Sequence, residues 1–215
     1  MLKIWGRVTS ANVQKVLWVL DDLGLDYVRE DAGLQFTVNK SESFLSKNPN
    51  GRIPLLEDGD FRLWESHSIC RYLCNRSISD QKTMQVALAL YPADAQDRGL
   101  IDQWMDWILW GISAPMVVVF QQLIRTPPAQ RNLQKLKDSE NECAGYFVIL
   151  DNFFKRHSWL SGRRPTLSDI CLAPIIYRAT ALGVVDQDRY PALFRWFELI
   201  QKEKGYQKWV AIPLS

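Results

Sequence analysis

The residues best placed to do chemistry lie in one stretch, Asn50-Gly-Arg-Ile-Pro-Leu-Leu-Glu-Asp-Gly-Asp-Phe-Arg-Leu-Trp-Glu-Ser-His-Ser-Ile-Cys-Arg-Tyr-Leu73. Glu65-Ser66 opens a helical pattern in which Ile69, Cys70, Leu73 and Cys74 recur on one face. A helix N-terminus carries about half a positive charge and unpaired N–H groups, so it attracts anions. Ser66 adds a hydroxyl there, and Glu65 sets an acceptor beside it. Together they suit a group bearing both a carboxylate and an ammonium, the head of an amino acid. Just upstream, a cis peptide before Pro54 would turn the N–H and C=O of Ile53 outward, where an extended peptide pairs as a strand does. A strand edge and a zwitterion clamp on one surface make a site for a small peptide built from amino acids. The same residues also read as an ordinary N-cap serine and a surface acid.

The elements that must position them follow from periodicity. Leu55 and Leu56 form a short apolar run, Phe61, Leu63 and Trp64 a returning strand, and Asp58-Gly59 the tight turn between them. Leu2, Ile4, Gly6 and Val8 alternate as a first strand, broken by Thr9-Ser10-Ala11-Asn12. Val13, Val16, Leu17 and Leu20 then mark a helix ending near Gly24, with a second strand at Tyr27 to Arg29. Residues 31–46 read as a loop with a short helix near Ser41 to Lys47. With a proline entering the third strand, this order is thioredoxin-like. Residues 75–93 lack a clear period, and Tyr91-Pro92 closes a linker.

Beyond it the pattern is helical. One long helix is expected over 95–120, with Trp104, Trp107, Ile108 and Gly111 on one face and a bend or break at Pro115. A second helix spans 130–154. Thr166-Leu-Ser-Asp169 is a capping box ahead of Ile170, Leu172, Ala173 and Ile176, a structural rather than catalytic feature. A last helix covers 191–203, and a tail that could cover the site runs from 206 to 215. The fold class is therefore an α/β N-terminal thioredoxin-like domain plus an all-α C-terminal helical domain. The boundaries fall at 1–78, a linker at 79–92, and 93–215.

Composition removes several classes of function. With 26 basic and 24 acidic residues the formal charge is +2, and no basic run interleaved with aromatics exists, so no nucleic-acid surface is expected. Lys15, Lys40, Lys47 and the lysines at 202–208 are scattered and read as solvated. The four cysteines, at 70, 74, 143 and 171, have no CxxC spacing, which points to buried thiols rather than a redox pair or zinc site. Two histidines, His67 and His157, leave little for metal binding or His-based catalysis. The first residues lack a signal-peptide pattern, and no run approaches 18 apolar residues. A cytoplasmic protein with no membrane partner is expected.

The stretch from Asn50 to Leu73 closely resembles the N-G-[KR]-[VI]-P-x-L…D-G-x…E-S-x-x-I-x-x-Y-L block of glutathione transferases, and the resemblance extends over nearly the whole chain. It implies glutathione as co-substrate without a metal, a homodimer, a role in detoxification, and transfer of the thiol to small apolar electrophiles. The first loop, Val8 to Val16, is similar to the S-x-x-x-[RK]-x-V pattern of Ser-type, theta-like members, so Ser10, then Asn12, then Thr9 would stabilise the sulfur. Asn12 stands where many such members carry proline, which leaves open whether its amide or the Ser10 hydroxyl faces the sulfur. Ser10 and Thr9 also read as plain N-caps. Arg52 would meet the glycyl carboxylate, Ile53 the cysteinyl backbone, and Glu65 with Ser66 the γ-glutamyl end. Asn39 falls near the glycyl end in a loosely matched loop. Asp102 resembles an acid that reaches across a dimer interface, or is a surface acid. Trp104 and Trp107 would wall an electrophile site between the domains, although at least one such tryptophan should pack in a core.

The physical need for a donor in the first loop is plain. A thiol with pKa about 8.5 is only a few per cent ionised at neutral pH, and the thiolate is the nucleophile. A hydrogen bond to a charged acceptor is worth about 1.5–3 kcal/mol. That lowers a thiol pKa by roughly one to two units. Two other readings share the fold, a glutathione-holding or protein-interaction module without turnover and a glutathione-dependent disulfide reductase. A reductase using its own cysteines fails, since the first loop has none.

Overall fold

The computed structural model describes residues 1–215, and the chain divides into two compact units, Met1–Pro92 and Ala93–Ser215. The first contains β1 (Leu2–Trp5), α1 (Ala11–Asp22), β2 (Tyr27–Glu30), α2 (Glu42–Leu45), β3 (Leu55–Asp58), β4 (Phe61–Trp64), α3 (Ser66–Ser77) and α4 (Met84–Leu90). The sheet order is β2-β1-β3-β4, with β1 parallel to β2 and antiparallel to β3, and β4 antiparallel to β3. This is the thioredoxin-like arrangement expected from the sequence.

Strand β1 stops at Trp5, short of the Val8 that alternation suggests. Trp5 pairs with Leu55, and the residue before Leu55 is Pro54, which has no N–H to extend the ladder. The hairpin turn also differs by one residue. Asp58 pairs with Phe61, so Gly59 and Asp60 form the loop rather than Asp58 and Gly59. Gly59 has φ +58° and Asp60 has no positive φ, which fits a type II′ turn with glycine first.

Helix α1 buries Val13, Val16, Leu17 and Leu20 as its period predicts, but also Gln14, Lys15, Trp18 and Val19. It packs along α3, whose Ile69, Cys70, Leu73 and Cys74 are all buried. The expectation that Lys15 is solvated is therefore corrected: it is 1% exposed. Lys47 is not simply solvated either, since its Nζ pairs with Glu57 at 3.0 Å and lies over the Trp5 ring. Residues 79–92, expected as linker, hold α4, which rests on α3 through the first unit and buries Ala87 and Leu90.

The second unit contains α5 (Ala95–Trp110), α6 (Ser113–Phe120), α7 (Leu133–Phe154), α8 (Leu167–Ala181) and α9 (Pro191–Ile200), with π-type turns at Gln121–Arg125 and Tyr206–Val210. The single long helix expected over 95–120 is two, broken at Gly111. A proline ring excludes the carbonyl four residues earlier, which for Pro115 is that of Gly111. Pro115 thus sits in the first turn of α6, where its missing N–H costs nothing. Residues 95–125 are apolar enough in composition to cross a membrane. At 16 and 8 residues, α5 and α6 each fall short of the roughly 20 that a span needs. They bury Ile101, Trp104, Met105, Ile108, Met116, Val119 and Phe120 instead.

The capping box at Thr166 is present, and its acid does more than cap. Asp169, fully buried, accepts hydrogen bonds from Thr166 N (3.0 Å), Leu160 N (3.0 Å) and Trp196 Nε1 (2.9 Å). It joins the loop before α8, the start of α8 and the middle of α9. Asp151 of α7 does the same for the α9 N-terminus, accepting from Ala192 N (2.7 Å) and Leu193 N (3.1 Å). The tail is tied down where Tyr177 Oη donates to the Ile212 carbonyl at 2.6 Å.

Burial pushes the Asp169 carboxyl up to about 6, with the backbone, Trp196 and Thr166 donors pulling against that rise. A carboxyl raised in the folded state contributes stability that is complete below its ordinary value and is lost as pH rises through about 6. Urea unfolding of the wild type, referred to Asp169→Asn, should therefore show stability falling from about pH 4 to about pH 7. Asp169→Ala strands three N–H donors and should cost about 3 kcal/mol or more at any pH in that range.

Candidate functional site

The N-terminus of α3 is uncapped by any side chain and has no acid in its first turn. Its first intrahelical bond is Ile69 N to Glu65 O at 2.9 Å, so the N–H groups of residues 66–68 precede the ladder. Ser66 is the first helical residue rather than the cap. It is 3% exposed, and its hydroxyl has no partner within the chain. Glu65 takes the cap position with φ +72° and ψ 115°, a conformation that costs a non-glycine residue on the order of 1–3 kcal/mol. Its carboxylate is exposed. Backbone strain of this kind clusters at functional sites and ligand clamps.

The entry to β3 supplies the strand edge. The Ile53–Pro54 peptide is cis, and β3 begins only at Leu55, leaving the N–H and C=O of Ile53 outside the ladder without a partner in the chain. Two asparagines shape this loop. Asn48, 1% exposed, donates from Nδ2 to Arg52 O (2.8 Å) and accepts from Asn50 N (3.1 Å). Asn39 donates to Gly51 O (2.7 Å) and accepts from Gly33 N (3.1 Å), so its amide is spent on the loop itself. Arg52 is exposed and makes no ion pair. Asn48 was not singled out in the sequence, where it looks like any loop asparagine.

The first loop adjoins this edge. A Cβ on Gly6 would stand 3.5 Å from Ile53 Cβ, and one on Gly33 would stand 2.9 Å from Ile53 Cδ1 and 3.1 Å from Arg7 Nη1. Ser10 occupies the N-cap position of α1, yet its hydroxyl does not cap and takes no partner in the chain. Asn12 is exposed on the first turn, and its Oδ1 accepts from Lys15 Nζ at 3.1 Å. Thr9 is half-buried and has a partner of its own within the chain. Lys15 Nζ also lies 3.1 Å from Nε2 of His67, the buried neighbour of Ser66. The structure thus brings Ser10, Asn12, Ile53, Glu65 and Ser66 into one unit, with Lys15 and His67 beneath them. The i, i+3 spacing of Asn12 and Lys15 and the placing of a lysine inside an apolar helix were the signals that could have found the pair.

No cysteine of the chain competes for a chemical role. None is in a disulfide and all four are buried, and burial, followed by Glu142 and Glu140, pushes the Cys143 thiol up to about 12. In the second unit Trp104 is 8% exposed and spends its ring on Trp107 (5.3 Å) and Phe153 (4.8 Å). Trp107 is half-buried against Tyr146 (5.3 Å), and Trp110 is 70% exposed. Asp102 is partly buried with a partner inside the chain. The first unit thus carries an uncapped helix N-terminus, an unpaired strand edge at Ile53 and a Ser10 hydroxyl that caps nothing.

The family models for the N-terminal and C-terminal domains of glutathione S-transferases match residues 1–75 and 112–203. The chain is 36% identical to glutathione S-transferase GstB of Escherichia coli over the full length of both proteins. It is 32% identical to a probable glutathione S-transferase of Oryza sativa subsp. japonica, covering 96% of this chain and 94% of that one. The theta class glutathione S-transferase of Xanthomonas axonopodis pv. citri, solved with glutathione bound, superposes with a TM-score of 0.90 at 31% identity, covering 100% of this chain and 99% of that one. The chain belongs to the glutathione S-transferase family.

Proposed function

We propose that the protein binds glutathione on its first unit and transfers the thiolate to small apolar electrophiles. The observation that carries this reading is the uncapped start of α3, with Ser66 and a strained Glu65, beside the unpaired backbone of Ile53. In this reading Ser66 and the α3 N-terminus hold the γ-glutamyl carboxylate, and Glu65 accepts from its ammonium. Ile53 pairs with the cysteinyl backbone, and Arg52 meets the glycyl carboxylate. The sulfur then lies at the first loop, where the Ser10 hydroxyl and the Asn12 amide are donors without partners. The half-buried Trp107, flanked by the exposed Trp110, offers a flat apolar face for the electrophile; Trp104 supports it from the core.

The reaction needs no general base from the protein. Donors directed at the sulfur and the N-terminal dipole of α1 favour thiolate over thiol, and the thiolate attacks as it forms. The titration of bound glutathione, followed by thiolate absorbance in the ultraviolet, tests this. A thiol that ionises at lower pH on the protein than in water is expected, and an unshifted thiol would leave a ligand-holding protein without turnover.

Three substitutions bear on the assignment. Ser66→Ala should weaken glutathione binding by about ten-fold or more, the loss of a hydrogen bond to a charged group; unchanged affinity in calorimetry removes the clamp. Glu65→Gly should raise the denaturation midpoint, because glycine adopts the φ +72° backbone without strain, and should weaken glutathione binding in the same protein. Ser10→Ala should lower kcat by about ten-fold with KM for glutathione little changed. Full activity in that variant moves the role to Asn12 or Thr9.

A further inference from the structure

Lys15 sits in the second turn of α1 and is 1% exposed. An ammonium withdrawn from water is costly unless its donors meet acceptors. Two are in place, Asn12 Oδ1 and His67 Nε2, each 3.1 Å from Nζ. An ammonium has donors only, so the oxygen of the Asn12 amide is the end that faces inward. Its NH2 group is left on the exposed side of the residue and bonds to nothing else in the chain. On His67 the lone pair of Nε2 is used, so the ring proton resides on Nδ1, which is buried without a partner. A buried orphan N–H one residue after Ser66 is a local cost of the kind found at functional sites.

We propose that Lys15 is a positioning residue: its buried ammonium locks the Asn12 amide with the NH2 group outward, as a donor to the sulfur of the bound thiol. The proposal rests on the reading that glutathione occupies the α3 N-terminus. An asparagine amide free to rotate presents its oxygen as readily as its nitrogen, and an oxygen repels a thiolate. With Lys15 in place only the donor end faces out. The contact to His67 holds α1 against the turn that carries Ser66, so the donor and the zwitterion clamp keep one spacing. Arginine is no substitute, since its planar fork would demand a wider cavity between α1 and α3 than a single Nζ does.

The test measures glutathione affinity by calorimetry, thiol ionisation by ultraviolet titration, and kcat and KM, for the wild type, Lys15→Met, Asn12→Ala, their double variant and Asn12→Asp. Lys15→Met should keep glutathione affinity within about threefold. It should raise the pKa of the bound thiol by about one unit and lower kcat at neutral pH about ten-fold. The double variant should be no worse than Asn12→Ala alone, because Lys15 acts through Asn12. Asn12→Asp retains an acceptor for Lys15 and so keeps the fold, yet it offers the sulfur no donor. It should raise the thiol pKa at least as far as Asn12→Ala. Wild-type thiol ionisation in Lys15→Met, or in Asn12→Asp should Lys15→Met fail to fold, overturns the proposal. Absence of glutathione binding by the wild type overturns the reading beneath it as well, and that outcome is seen before any variant is compared.

Discussion

Much of the first unit follows from one missing N–H. Pro54 cannot extend β3 towards the N-terminus, so β1 has no antiparallel partner beyond Trp5. Past that point the chain is held only from the β2 side, where Gly6 N donates to Glu30 O (2.8 Å) and Arg7 N to Ala32 O (3.2 Å). Residues 7–10 are therefore released from the sheet close to Ile53, whose own N–H and C=O are unpaired for the same reason. The peptide edge and the loop that faces it are two results of one interruption in the ladder. Side chains then stabilise the gap: Asn48 and Asn39 hold the loop before Pro54 through its carbonyls, without using Ile53.

The sequence made this region legible because its signals are local. A proline before an apolar pair, a glycine at a two-residue turn and a Glu-Ser pair before a helical period each depend on a few neighbouring residues. Glu65, Ser66 and Ile53 are singled out by such patterns, Arg52 only by the family resemblance, and the flanking β3, β4 and α3 form where the patterns put them. The shift of the turn from Asp58-Gly59 to Gly59-Asp60 shows the limit of a dipeptide signal, since register is decided by pairing across the strands.

What was not legible depended on contacts between distant residues. A lysine reads as a surface residue unless its acceptors are known, and one acceptor of Lys15 is 52 positions away at His67. The apolar period of α1 picks out Val13, Val16, Leu17 and Leu20, yet Trp18 and Val19 are buried too, in a helix along which α3 packs. In the second unit the break at Gly111 could have been placed from Pro115 by counting back four residues. Asp151 could not have been placed at all, because the first amide it accepts from, that of Ala192, lies 41 residues later.

The two buried acids of the second unit also order events in time. Asp151 and Asp169 are made before α9: Asp151 waits for the Ala192 and Leu193 amides, and Asp169, already bonded to Leu160 N and Thr166 N, waits for a further donor from Trp196. During synthesis the earlier helices can collapse around these carboxylates, but the hydrogen bonds to them are completed only once α9 has left the ribosome. Completion of the helical unit is thus coupled to the synthesis of α9. A polypeptide cut short before Pro191 would carry two acids whose surroundings have been built for partners it does not possess, and quality-control proteases would meet it as a loosened chain rather than a smaller version of the same domain.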